Sequence, residues 1–158
     1  MATTTAVDRP RQRIPAWLIR SIWKLHRALY RLSRGRVGLW APSSSQWGTL
    51  RLTTIGRKTG RERIAIVGFI EDGPNLVSPA MNGWLEPEPA WWLNLQAHPD
   101  ATIDLPDGTR EITARAAVGE ERARLWAEMT LHQPSLDAYA ARRSRETAVV
   151  VFEPRSPA

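Results

Sequence analysis

The chain has 158 residues, 42% hydrophobic and 24% charged, which suits one ordinary globular core and is too short for two domains. It has no cysteine, so disulfides, thiolate nucleophiles and cysteine metal sites are excluded; no run approaches the roughly 20 apolar residues that span a bilayer. The net charge of +6 is uneven, with +8 in residues 1–36 and −2 in the remainder, which speaks against a nucleic-acid surface spread over the whole protein and for one local basic element.

In chain order, residues 1–12 are polar and rich in Thr and Arg, the composition of a disordered tail. Residues 13–36 form a predicted basic amphipathic helix, with Pro15 near its start and Gly35 closing it. Leu18, Ile22, Leu25, Leu29 and Leu32 line one side, and Arg20, Lys24, Arg27, Arg31 and Arg34 line the other. Such a helix suits an anionic membrane surface, with Trp17 and Trp23 at the interface, or else lays its apolar stripe on the folded body. No apolar segment with a cleavage site marks the N-terminus, so the expected location is cytoplasmic, peripheral on the inner face of the membrane if that helix docks there. "APSSSQWG" reads as a linker.

Strands follow. Gly48–Ile55 and Arg61–Glu71 are joined by "GRKTG", and "EDGPN" turns into a third strand, Asn75–Ala80. A loop, "MNGWLEPEP", leads to a short helix in "PAWWLNLQAHP". A hairpin of Ala101–Leu105 and Thr109–Ala117 precedes a helix in "GEERARLWAEM". A second late helix spans Pro134–Arg143, and "ETAVVVFEP" is the last strand. Six short strands, mostly hairpin-joined and without β-α-β alternation, predict an antiparallel barrel with helical additions.

Arg57, Lys58, Arg61 and Arg63 crowd the first hairpin, and like charges repel unless an anion sits among them. The spacing is not that of a nucleotide phosphate loop. Yet the glycines, a threonine hydroxyl and arginine forks suit phosphate or carboxylate. A solvated turn with ordinary surface charge is the alternative. In the short helix, Trp91, Asn94 and Leu95 share a predicted face while Trp92 points elsewhere; that face would line a planar ligand or fill the core. His26, His98 and His132 lack ligand spacing, which predicts no metal site. Ser43–Ser45 lack a nucleophile elbow. Glu86 with Glu88, and Glu120 with Glu121, read as a loop and a helix start. Any hard chemistry is therefore expected to belong to a bound cofactor.

"LTTIGRKTGRERIAIVGFIEDG", "PAWWLNLQAHPDATI", "ARAAVGEERARLWAEM" and "LDAYAARRSRETAVVVFEPR" together resemble the deazaflavin-dependent nitroreductase family over roughly residues 46–155. The resemblance implies a split β-barrel like that of FMN-binding oxidoreductases. It also implies the coenzyme F420, an 8-hydroxy-5-deazaflavin whose tail carries phosphate and polyglutamate, with no metal. The matching positions put that tail at Gly56, Arg57, Lys58, Thr59, Gly60 and Arg63. They bring Ala80, Met81 and Asn82 to the ring and set Trp91 and Asn94 close by. The implied activity is hydride transfer to a quinone, an α,β-unsaturated carbonyl or a nitro compound. Asn82 stands where the family commonly has a Ser-Lys pair, and Ile66 replaces a common proline. Of the late-helix tyrosines of nitroimidazole-reducing members, matched here by Gln133, Leu136 and Tyr139, only Tyr139 survives, as a catalytic proton donor or a packed aromatic. Two other expectations remain: a non-catalytic carrier of F420, flavin or haem, and a lipid or nucleic-acid binder acting through the basic helix.

Overall fold

The computed structural model describes residues 39–43, 46–83 and 85–155. The expected tail (1–12) and basic helix (13–36) lie outside the described residues. Six strands are β1 (Gly48–Ile55), β2 (Glu62–Asp72), β3 (Asn75–Pro79), β4 (Asp100–Leu105), β5 (Gly108–Ala116) and β6 (Val149–Pro154). They close into an antiparallel barrel in the order β1-β2-β3-β6-β5-β4, with β1 also pairing β4 around Leu52 and Ile103. Closure leaves no long unpaired edge. Among the described residues, three helices are α1 (Ala90–Ala97), α2 (Gly119–His132) and α3 (Leu136–Ala140).

Strand alternation sorts the apolar residues into two cores. Leu50, Leu52, Phe69, Ile103, Ile112, Val150 and Phe152 point into the barrel. Ile70, Val77, Val149 and Val151 point outward, where α2 covers them with Leu125 and Met129, and α3 with Leu136. The unbroken apolar run "VVVF" in β6 follows from this, since both of its faces are buried.

Several expectations change. Trp92 does not point away: both Trp91 and Trp92 are buried in the barrel core, with their rings 6.5 Å apart and Trp91 6.2 Å from Phe152. An eight-residue helix packed against β1, β2 and β5 buries more than one face, so a single-stripe reading fails. The presumed linker is structured where described. Thr49 donates to the Trp40 carbonyl (2.9 Å), and Trp40 Nε1 donates to the Trp47 carbonyl (2.8 Å). Gly48 is required beneath it, because a Cβ there would meet Phe69 at 2.6 Å and Pro42 at 2.8 Å. The late helix is only Leu136–Ala140, continued by tight turns from Arg142 to the Tyr139 carbonyl and from Arg143 to the Ala140 carbonyl. Leu136, matched by resemblance to a pocket position, is instead fully buried core.

Candidate functional site

The β1–β2 connection is a compact turn. Gly56 donates to the Arg61 carbonyl (2.8 Å), while the Thr59 and Gly60 amides both converge on the Gly56 carbonyl (3.1 and 2.8 Å). Gly60 has φ +64°, a left-handed conformation that favours glycine. A Cβ on Gly56 would press the Arg61 carbonyl at 3.1 Å and the Thr59 hydroxyl at 3.2 Å. Both glycines thus serve the curl of the turn.

Asn94 ties this turn to the core. Its side chain is buried in α1. The carboxamide oxygen accepts from the Arg57 amide (3.2 Å) and from Arg57 Nη1 (3.4 Å). Its nitrogen donates to the Thr54 hydroxyl (3.1 Å), and that hydroxyl donates on to the Arg63 carbonyl (3.3 Å). Arg63 Nη2 bends back to the Thr59 hydroxyl (3.4 Å). Arg57, Thr59, Arg63 and Asn94 are thereby brought together. A buried carboxamide is expensive to leave half-paired, so Asn94→Leu is expected to cost about 1–2 kcal/mol of stability, readable as a lower urea midpoint, and to loosen the turn.

The cations of the turn differ from most of the other described arginines. Arg51, Arg110, Arg115, Arg122, Arg124, Arg143 and Arg155 each hold a carboxylate. Among the described residues, Arg57, Lys58, Arg61 and Arg63 hold none, and all four are exposed. This concentration of unneutralised donors fits a phosphorylated, carboxylate-rich tail.

The remaining expected residues divide. Ala80 is fully buried just beyond β3, its amide donating to the Ala148 carbonyl (2.8 Å). Met81 is half-buried and packs on the outer core, and Asn82 is exposed. Trp91 is a core residue. Tyr139 is half-buried on α3, three residues after Leu136, which shares the outer core with Met81. Among the described residues no group of three or more His, Asp or Glu could hold a metal ion, and no helix is long and apolar enough to cross a membrane.

Residue patterns missed Thr54, Glu86, Glu88 and Arg143. Thr54 left a trace, since alternation in β1 places a hydroxyl inward among leucines. Glu86 and Glu88 are more than loop charges: Glu86 accepts from the Ser144 amide and hydroxyl (2.7 and 2.9 Å), and Glu88 pairs with Arg143 (3.1 Å). Nothing in "ARRSRE" distinguishes Arg143 from its neighbours.

Three carboxyls are held below their ordinary values by hydrogen bonds: Asp72 by Arg124, Glu86 by Ser144 and Glu121 by Arg115. Arg115, gripped by Glu121 and Glu153, is raised in turn. Lowered carboxyl pKa values contribute stability that is present above the unfolded values, 3.8 for Asp and 4.5 for Glu, and is lost as pH falls through the folded ones. The melting temperature is therefore expected to be flat with respect to these groups above about pH 5 and to fall below it. Scanning calorimetry from pH 7 to 3 checks this; a melting temperature that rises on acidification would contradict it.

The family described as F420H(2)-dependent quinone reductase matches residues 22–154. An F420H(2)-dependent quinone reductase of Mycobacterium tuberculosis (strain ATCC 25618 / H37Rv) is 31% identical over 149 residues, covering 90% of this chain and 99% of the relative. A solved F420-H2 dependent reductase superposes with a TM-score of 0.61 at 26% identity, over 66% of this chain and 93% of that one. A haem storage protein of Vibrio cholerae, at 14% identity and a TM-score of 0.50 over 69% of this chain and 82% of its own, shares the fold alone. This chain belongs to the F420H(2)-dependent quinone reductase family and is an oxidoreductase whose coenzyme is F420.

Proposed function

We propose that the β1–β2 turn anchors the coenzyme tail and that the segment Ala80–Asn82 faces the deazaflavin ring, so that a quinone stacked on the ring is reduced to its hydroquinone. The observation that carries this reading is the set of exposed cations at Arg57, Lys58, Arg61 and Arg63, without carboxylate partners among the described residues and fixed to α1 through buried Asn94. When bound, the reduced coenzyme supplies a hydride from ring carbon C5. The chain's own work is to bind and orient. Gly56 and Gly60 shape the turn, Arg57, Lys58, Thr59 and Arg63 bind the anionic tail, and Trp91 and Asn94 support the adjoining wall from the core. Tyr139 delivers a proton to the reduced quinone oxygen and is reprotonated from solvent.

Oxidation of F420H2 by menadione, followed at 420 nm, tests the reading. Coenzyme binding without turnover would make the protein a carrier. Enones such as cyclohexenone are a second acceptor class, because a ring-stacked alkene conjugated to a carbonyl meets the same requirement. Nitro compounds are expected to be poorer acceptors, since of Gln133, Leu136 and Tyr139 only the last is a tyrosine. Residues 13–36 are assigned to an anionic membrane surface, where lipid-soluble quinones reside. Full-length protein should sediment with anionic vesicles at low salt, and a variant starting at residue 37 should not.

A further inference from the structure

The loop leaving β3 is fastened by a buried charge that the chemistry above does not use. The Arg143 side chain is 0% exposed, against 54% for Arg124 and 40% for Arg115 in their surface pairs. Its Nη1 donates to the Ala80 carbonyl at 2.9 Å and to the Thr147 hydroxyl at 2.8 Å, and its Nη2 donates to Glu88 at 3.1 Å. Arg143 Nε and Glu88 Oε2 are buried without a partner in the structure. An incompletely satisfied buried ion pair is a poor way to gain stability, since apolar residues of similar volume often do as well. A rigid guanidinium fork does, however, fix the direction of an acceptor.

That acceptor belongs to a critical peptide unit. The Met81 amide donates to the Pro79 carbonyl at 2.9 Å, a three-residue turn centred on Ala80 that redirects the chain out of the barrel. The Ala80 carbonyl and the Met81 amide lie in one planar peptide. Holding the carbonyl therefore sets the plane of the turn and the exit direction of Met81 and Asn82. Glu86, bound to Ser144, fastens the same loop further along without touching that peptide.

We propose that Arg143, backed by Glu88, is a positioning residue for hydride transfer: it orients the Ala80–Met81 peptide and through it the depth and tilt of the bound ring. The proposal rests on the reading that Ala80–Asn82 faces the ring. Arg143→Gln, Arg143→Lys and Glu88→Gln are compared with Glu86→Gln as a control on the same loop. In the coenzyme-free protein, Arg143→Gln should raise amide hydrogen exchange by about tenfold across residues 80–83, and Glu86→Gln should not. In single turnover with coenzyme and menadione saturating, Arg143→Gln should lower the rate by roughly tenfold, with coenzyme affinity within about twofold of the parent. Arg143→Lys should recover part of the loss. If Arg143→Gln does not fold, Glu88→Gln carries the same expectations in weaker form. A uniform rise in exchange with an unchanged rate per folded molecule would overturn the proposal by reducing Arg143 to a fold element. Failure of the parent protein to bind coenzyme would sink the proposed function, whereas the exchange pattern decides separately whether Arg143 holds the segment.

Discussion

Replacing Lys58 and Arg63 together by alanine is expected to weaken F420 binding by about 2 kcal/mol, roughly 30-fold. Charge-assisted hydrogen bonds contribute more than neutral ones, but both side chains are exposed, and solvent screening sets each near 1 kcal/mol. The charge should matter more than the side chain: Lys58→Arg and Arg63→Lys should each retain most of the affinity. Raising salt should weaken the parent more steeply than the double variant, because fewer charges remain to be screened. Since the turn is closed by backbone contacts from Gly56 to Arg61, the melting temperature of the coenzyme-free protein should change little. Fluorescence titration at two ionic strengths provides the numbers. Equal affinity of parent and double variant at both would remove the turn from the binding site.

The second large effect is expected at Tyr139. If its phenol delivers the proton that completes quinone reduction, Tyr139→Phe should lower kcat by roughly 10²-fold, the low end for general-acid catalysis, with coenzyme affinity unchanged. Because the side chain is half-buried, water offers a slower substitute and some turnover should remain. A solvent isotope effect larger in the variant than in the parent would locate the deficit in the proton step. A variant as fast as its parent would make Tyr139 a packed aromatic.

The barrel was legible because its signals are local. Alternation in Gly48–Ile55, the turn residues at "EDGPN" and "PDG", and the absence of β-α-β spacing each constrain one hairpin, and closed antiparallel topology follows from joining them. The short helix was harder. "PAWWLNLQA" carries no clean apolar stripe, and only packing against the barrel explains why Trp91, Trp92, Asn94 and Leu95 are all buried. Ala and Arg are good helix formers, so sequence alone extends the late helix to Arg143. Tertiary demand won there: Arg143 leaves the helical path to reach Ala80 and Glu88 across more than fifty residues of sequence. The cationic turn was visible in composition, but its selectivity was not, since a carboxylate neighbour for each charge would have given the same string of letters. What changes the reading is that most other described arginines have carboxylate partners, such as Arg51 with Asp104 and Arg124 with Asp72, whereas these four have none among the described residues.

The most direct measurement is a titration of the unaltered protein with F420, with the same deazaflavin lacking phosphate and glutamates, and with oligoglutamate alone. Tight binding of the complete coenzyme is expected, with much weaker binding of each half, because the proposed function assigns tail and ring to separate segments, the β1–β2 turn and Ala80–Asn82. Indistinguishable affinities for the tailed and tail-free deazaflavin would contradict the account.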